Sequence, residues 1–427
     1  MMHDVRSNHA AGRAGSPLPA AAPWPKVKLG ELYEVHNGLS KPKDAFGSGW
    51  PFLSYSVVFN NFFLPESLDS LVQTSEKEQE SYSIKYGDVF ITRTSETSDE
   101  LGMSCVALKD YPHATYNGFC KRLRPITERV HPRYIGYYLR TPEFRGRFDG
   151  LGASMITRAS LRNEDLLSMT VSLPPLPIQQ RIASVLGAYD DLIENNRRRI
   201  ALLEKMAREL YRERFVRRGV KGKVMSLGAI VSFKRGVGYG SKDIKGGSNV
   251  LLSMNNIRPF GGFIRDYSRK FSGRYSEDQK VHEGDLIMAI TDMTQDRRII
   301  GYTAIVPPGD DNRIICTHLM KVTSNECHPF FLNAFFNQSM SRIISEHATG
   351  ATVLGLTADV LKEIKCCLPA EEDQAAYVEQ VAPIINLIFN LENENENLSR
   401  QRDRLLPRLM SGKIDVEALV KEEERHG

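Results

Sequence analysis

Two stretches of the chain carry apolar residues at alternating spacings of four and three. In the first, Ile182, Leu186, Tyr189, Ile193, Asn196, Ile200, Leu203, Ala207 and Leu210 keep that rhythm. In the second it is kept by Tyr377, Val381, Ile384, Ile388, Leu391, Asn395, Leu398, Arg402, Leu405 and Leu409. Seams of this kind predict two long helices, each packed on another helix. The first follows the proline-rich run "LPPLP" at 173–177. Each of its seam positions recurs 195 residues later, as with Ile182 and Tyr377 (377 − 182 = 195). The seams are therefore duplicates. Asn196 and Asn395 interrupt the apolar rows, and a seam asparagine lowers stability while fixing register. Gly187 and Pro383 predict a kink after the first turns of each helix.

Outside the helices the period changes. Short strand-like runs such as "GDVFIT" from Gly87 and "GDLIMAIT" from Gly284 alternate with glycine- and asparagine-rich turns. His131-Pro132 and His328-Pro329 each open a short helix, with proline at the first helical position.

The duplication extends through these regions. Leu29-Gly30 with Gly38 answers Leu227-Gly228 with Gly236 (227 − 29 = 198), and "LSY" at Leu53 answers "LSM" at Leu252. Gly87 answers Gly284, Cys120 and Leu123 answer Cys316 and Leu319, and "GAS" at Gly152 answers "GAT" at Gly350. "LPP" at Leu173 answers "LPA" at Leu368. A collinear series with so little drift implies a tandem repeat. The expected order is a disordered tail at 1–24, a globule at 25–172 and a first long helix region at 173–222. A second globule at 223–367, a second helix region at 368–416 and a charged tail at 417–427 complete it. The fold class is mixed α/β, two tandem domains related by pseudo-twofold symmetry, each followed by a long helix.

Charge selects the pairing of the helices. Residues 197–218 hold nine Lys/Arg against three Glu, whereas 371–396 hold seven acids and no base. Residues 179–196 are slightly acidic, and 397–413 hold five bases against one acid. An antiparallel coiled coil within one chain sets opposite charges side by side at both ends, and a parallel one sets like charges together. Helices packed separately on the globules, or paired between chains, are the alternatives. About 35 helical residues at ~1.5 Å rise give a spacer of about 50 Å.

Composition narrows the class. A chain of 427 residues exceeds one ordinary core. With 41% hydrophobic and 25% charged residues, it has the make-up of a globular protein. It has no apolar run of membrane-spanning length, and residues 1–24 lack the apolar core of a signal peptide. The doublet Met1-Met2 is consistent with an upstream start. Six cysteines without CxxC spacing read as reduced, buried thiols of a cytoplasmic protein.

Catalytic chemistry is not legible. No GxxxxGK[ST] loop, HExxH or GxSxG is present, nor the Asn/Asp-Pro-Pro-aromatic tetrapeptide of amino-methyltransferases. "RGVGYGSK" at 235–242 has alternating glycines but opens no helix, which favours a flexible loop over a nucleotide site. "SEDQK" at 276–280 lacks a companion acid and reads as a solvated turn. His131 and His328 stand at helix starts without a second ligand, so capping or packing is expected rather than metal binding.

What recurs at equivalent places in both halves is a set of polar, partly basic loops. In the first half these are Ser54 and Ser56, then Thr92, Arg93, Thr94 and Ser95 of the 92–100 loop, and Lys121 and Arg122. In the second they are Lys234 and Arg235, then Ser253, Asn255, Asn256 and Arg258, and Thr291, Asp292, Arg297 and Arg298 of the 291–298 loop. Such side chains reach base edges and phosphates in DNA grooves.

At "LPPLPIQQRIASVLGAYDDLIENNRRRIALLEKMARELYRERF" the chain resembles the specificity subunit of type I restriction–modification systems, in that family's central conserved region. "RLLPRLMSGKIDV" at 404–416 resembles the close of its second conserved region, so the likeness covers about residues 26–416. The acidic residue usual before Gln179 is replaced by Ile178, whereas Asp373 keeps it before Gln374. The second helix is acidic and Asn-rich ("NLENENENLS"). The resemblance implies a non-catalytic subunit whose two target recognition domains each read one half of a bipartite double-stranded DNA site. It implies helices that set the spacer and dock two methyltransferase subunits, with S-adenosylmethionine on those partners and ATP and Mg on a restriction–translocase subunit. The competing expectations are a nuclease or methyltransferase with an unrecognised site, and a DNA-independent coiled-coil adaptor.

Overall fold

A computed structural model of the chain describes residues 24–95, 101–148, 159–219, 221–265, 267, 269–293, 296–309, 312–350, 353–414 and 416. The expected tails at 1–23 and 417–427, the 96–100 part of the first polar loop, Thr294 and Gln295 in the second, and the "GAS" repeat at Gly152 lie outside the described residues.

The chain forms two compact units. The first takes the chain through Ile193 and again from Asn397, and the second is Glu194–Glu396. The division falls inside both long helices, because each half-helix packs on a different core.

The first unit is built on a four-stranded antiparallel sheet of β1 (Tyr33–Asn37), β2 (Val89–Thr92), β3 (Ser104–Val106) and β4 (Cys120–Pro125), in the order β1-β4-β2-β3. All four residues of β2 are buried, so it reads as the apolar run Val89-Phe90-Ile91 ending in Thr92 rather than as an alternation. Beside this sheet, Phe46–Leu53 pairs in parallel with Thr115–Tyr116, and Lys26–Lys28 pairs with Thr170–Ser172.

The second unit repeats the plan. Its sheet of β5 (Ser232–Arg235), β6 (Leu286–Ala289), β7 (Thr303–Ile305) and β8 (Leu319–Thr323) runs β5-β8-β6-β7. Asn249–Leu252 pairs in parallel with Arg313–Ile315, and Gly222–Ser226 pairs with Lys365–Pro369.

The repetition reaches single hydrogen bonds. Gly87 and Gly284 adopt φ of 85° and 83°, a region that disfavours side chains. In each turn the following aspartate accepts a backbone N–H three residues back, Lys85 to Asp88 and His282 to Asp285, both at 2.7 Å. Each aspartate also meets a cation from the neighbouring strand, Arg124 in one unit and Lys321 in the other. Gly38 and Gly236 recur for a different reason. A Cβ there would lie 2.1 Å from the Asn117 carbonyl oxygen and 2.2 Å from that of Cys316.

One sequence correspondence is overturned. Gly38 N–H donates to the Cys120 carbonyl and Gly236 N–H to that of Leu319. Cys120 is therefore structurally equivalent to Leu319, not Cys316, and Leu123 to Val322, since Val89 and Leu286 pair with those residues. Cys316 is instead the equivalent of Asn117, each opening a turn of equal length into the strand, and the register slips earlier, where the second unit has two more residues between paired strand positions (303 − 288 = 15 against 104 − 91 = 13).

The central helix spans Leu176–Tyr211 and the C-terminal helix Glu371–Met410, both continuous through Gly187 and Pro383. A six-residue π-helical segment, Arg212–Arg217, follows the first. In the first unit, Ile182 and Leu186 share a core with Leu406, Leu409 and Met410, so the start of one helix meets the end of the other. In the second unit, Tyr211 and Phe215 share a core with Tyr377 and Val381, the end of one helix against the start of the other. Both contacts define antiparallel pairing. The seam faces inward as expected. Ile182, Leu186, Ile193, Asn196, Val381, Ile388 and Leu391 are buried, and Ile200, Leu203, Leu210, Asn395, Leu398 and Leu405 are half-buried. Opposite charges meet directly at Asp190–Arg402 and Arg214–Asp373. The remaining arginines of 197–218 lie mostly outward.

Gln179 fastens the central helix to the first globule. Fully buried, it accepts the His131 N–H at 2.9 Å and donates to the carbonyls of Arg129 and Pro174 at 2.9 and 2.8 Å. Its repeat, Gln374, donates to the Pro369 carbonyl at 2.9 Å. Replacing Gln179 by Leu strands two carbonyls and one N–H and is expected to cost about 2–4 kcal/mol. Gln374→Leu strands one carbonyl and should cost about 1 kcal/mol. Denaturant titration of both variants measures the difference, and equal losses would contradict this wiring.

Candidate nucleic-acid interface

In the first unit, β2 ends at Thr92, and the chain continues into Thr94–Ser95, paired with Ala159–Ser160. The Tyr55 hydroxyl donates to the Thr94 carbonyl at 3.3 Å and brings the 53–56 segment alongside. There Ser54 precedes a short helix, Tyr55–Asn60, with Ser56 exposed. The Arg93 N–H donates to the Phe119 carbonyl, and the Arg93 carbonyl accepts from Leu161. Its guanidinium and the Lys121 ammonium both approach the Asn37 carboxamide oxygen, at 3.5 and 3.4 Å. Arg93, Lys121, Asn37 and the exposed Phe119 ring thus converge at one edge of the sheet.

The second unit makes the same corner from different residues. Thr291–Asp292 pairs with Leu354–Gly355. The Ile290 N–H donates to the His318 carbonyl, and the Ile290 carbonyl accepts from Leu356. Ile290 thus stands where Arg93 does, and His318 where Phe119 does. Arg235 holds the place of Asn37, its Nε donating to the Thr317 carbonyl at 3.0 Å. Thr291 Oγ1 lies 3.1 Å from His318 Nδ1, and Met254 packs against it, so the 253–256 segment again lies alongside.

Burial corrects several expected contact residues. Thr92 is fully buried, its hydroxyl accepting the Met103 N–H at 2.9 Å. Arg122 is buried, donates to the Ser83 carbonyl at 2.7 Å and lies over the Tyr116 ring. Lys121 is buried against Asn163, and burial together with the nearby Arg93 charge lowers its pKa. Asn256 holds its own loop by donating to the carbonyls of Ile264 and Tyr267 and accepting the Ser253 N–H. Thr291 and Asp292 are buried, and Asp292 accepts the Ile299 N–H at 3.1 Å. Arg258 pairs with Glu204 of the central helix at 2.7 Å, and Arg297 donates to the Ser345 carbonyl at 3.0 Å. The buried side chains among these shape the loops, while Arg258, its side chain 40% exposed, is tied to the central helix.

The surface is left to others. Ser56, Lys234, Arg235, Asn255 and Arg298 are exposed, and Ser54, Arg93, Thr94 and Ser253 partly so. Ser95 contributes its backbone to the Ala159 pairing. Lys234 pairs with Asp278, whose carboxyl that ammonium and Ser276 hold below its usual range. The "SEDQK" stretch is thus a capped turn with an ion pair. Sequence reasoning passes over Asn37, Phe119, Asn163 and His318, which reach their places through a strand end, two turns and a helix start. His328 caps its helix by accepting the Phe330 N–H at 3.1 Å, while the His131 backbone N–H goes to Gln179. None of the six cysteines is in a disulfide, and five are buried. Among the described residues no helix is long and apolar enough to cross a membrane.

Residues 22–205 match the family model for the type I restriction modification DNA specificity domain. Two specificity subunits of type I restriction enzymes from Methanocaldococcus jannaschii are similar nearly end to end. MjaX, itself a provisional designation, is 22% identical over 92% of this chain and 94% of its own length, and MjaIX 22% identical over 93% and 94%. The S subunit of a type I restriction–modification system from M. genitalium superposes with a TM-score of 0.53 at 14% identity, covering 92% of this chain and 98% of that one. Tandem α/β units, each closed by antiparallel segments of two long helices, define the fold class. In sequence the chain is thus similar to specificity subunits of type I restriction enzymes, and in fold to an S subunit of such a system.

Proposed function

We propose that this chain is the non-catalytic DNA-specificity subunit of a cytoplasmic type I restriction–modification complex. Each unit reads one half of a bipartite duplex site. The observation that carries this reading is the corner built twice from the same backbone bonds but different side chains, Arg93, Asn37 and Phe119 against Ile290, Arg235 and His318. Equivalent position with unequal chemistry supports two different half-sites. Arg93, Lys234, Arg235 and Arg298 supply cations for phosphates or guanine edges, and Ser54, Ser56, Thr94, Ser95, Ser253 and Asn255 supply neutral donors and acceptors. The buried residues position these loops. The long helices set the interval between half-sites and offer docking surface to two methyltransferase subunits. S-adenosylmethionine belongs to those partners, and ATP and Mg to a restriction–translocase subunit.

Replacing Lys234 and Arg235 by Ala is expected to weaken duplex binding and to flatten the slope of log affinity against log salt by about one to two. Fluorescence anisotropy across a salt series measures it, and an unchanged slope would remove both residues from the interface. Deleting seven residues from each helix, at the equivalent points near Ile200 and Asn395, shortens the pair by about 10 Å. Sequencing of methylated DNA from cells expressing the variant complex should show unchanged half-sites with a spacer shorter by about three base pairs at ~3.4 Å each. An unchanged spacer would defeat the ruler.

A further inference from the structure

The second unit contains a half-open cavity of about 660 Å³ between its helix segments and its globule. That lies within the ~300–1,000 Å³ range of ligand pockets. Its walls come from the central helix (Ala207, Arg212), the C-terminal helix (Ile385, Phe389) and the helix after His328 (Ala334, Gln338).

The first unit shows what fills the equivalent space. There the Tyr137 hydroxyl donates to the Asp190 carboxylate, Arg402 pairs with the same carboxylate, and the guanidinium lies 4.9 Å from the Phe62 ring centroid. Following the His-Pro repeat, Tyr137 corresponds to Ala334 (334 − 137 = 197). Following the seam repeat, Asp190 corresponds to Ile385 and Arg402 to Ala207 (385 − 190 = 402 − 207 = 195). A phenol, a carboxylate and a guanidinium are thus replaced by alanine, isoleucine and alanine, all three lining the cavity. The hole is the imprint of a plug the second unit lacks.

Three features show that the space is prepared for an occupant. The Gln338 carboxamide oxygen is buried without a hydrogen-bond partner, so it calls for a donor. Gln338 sits on a π-helical segment, Phe336–Met340, a distortion common at functional sites. At the rim Phe260 is 65% exposed and held at a φ of 66°, conformations that are costly for an aromatic residue. The helix surface over 197–218 is basic, with nine Lys/Arg against three Glu, and Arg208 and Arg212 of these line the cavity.

We infer that this cavity receives a tyrosine or tryptophan anchor carried on an acidic segment of a partner protein. On the docking role proposed above, on which this inference rests, that partner is one of the two methyltransferase subunits. The ring fills the volume vacated by Tyr137's counterpart, its O–H or N–H meets Gln338, and the acidic flanks meet the arginines. Aromatic anchors in pockets dominate many interfaces. Because the first unit supplies its own plug, the two methyltransferase copies are held unequally.

The test is native mass spectrometry of the full chain titrated with its methyltransferase subunit, comparing wild type with Ala334→Tyr and, from the opposite wall, Ala207→Arg. Wild type should take up two copies. Each plugged variant should lose the tighter of the two uptake steps, which weakens at least ten-fold toward that of the natively plugged first unit, while its melting temperature is kept or raised. Should Ala334→Tyr fail to fold, Ala207→Arg decides. Plugged variants that take up two copies as tightly as wild type does overturn the anchor and leave the docking role standing. A wild-type chain that takes up none overturns the docking role itself.

Discussion

Each globule of this protein is closed by helix segments that lie far apart in sequence. The core of the first unit joins Val27 and Leu29 to Ile182 and Leu186, and then to Leu406, Leu409 and Met410 near the other end of the chain. The core of the second joins the end of the central helix, through Tyr211 and Phe215, to the start of the C-terminal helix at Tyr377 and Val381. Neither long helix could bury its apolar stripe on one globule, since each is far longer than any single core it meets. The antiparallel seam resolves this by giving each half-helix its own core. Everything else hangs on that arrangement, including which strands face the loops and where the charges fall.

The helix pair was legible because its signal is periodic and local. A seam repeated every three to four residues survives substitution of individual positions, and the charge blocks chose the antiparallel sense. The tandem repeat was legible because backbone geometry enforces it. Gly38 and Gly236 leave no room for a Cβ, and Gly87 and Gly284 take a left-handed turn before an aspartate that closes it. Strand register was not legible. A connection two residues longer between the second and third strands of the sheet shifted the match of Cys120 from Cys316 to Leu319, and no local pattern in two apolar strands reveals such a slip.

The candidate interface was legible only by neighbourhood. The loops were found, but residue type does not say which way a polar side chain turns. Thr92, Arg122 and Asn256 turn inward because β-sheet alternation and loop closure need their hydrogen bonds. Phe119 and His318 come to the corner through turns that sequence reasoning passed over. The two corners share a scaffold of backbone bonds, which explains how one fold can be copied and then diverge. The same divergence appears beneath the helices, where a polar plug in one half has become a cavity in the other.

On the proposed function, one recognition fold, used twice with different side chains, reads two different half-sites, a division of labour open to direct test. Its most direct test replaces residues 223–367 by a second copy of 25–172 in a cell that supplies the methyltransferase, followed by sequencing of methylated bases. The expected outcome is that the asymmetric bipartite motif of the native chain becomes an inverted repeat of a single half-site with the same spacer. Persistence of the native motif, or a direct repeat in place of an inverted one, would contradict it.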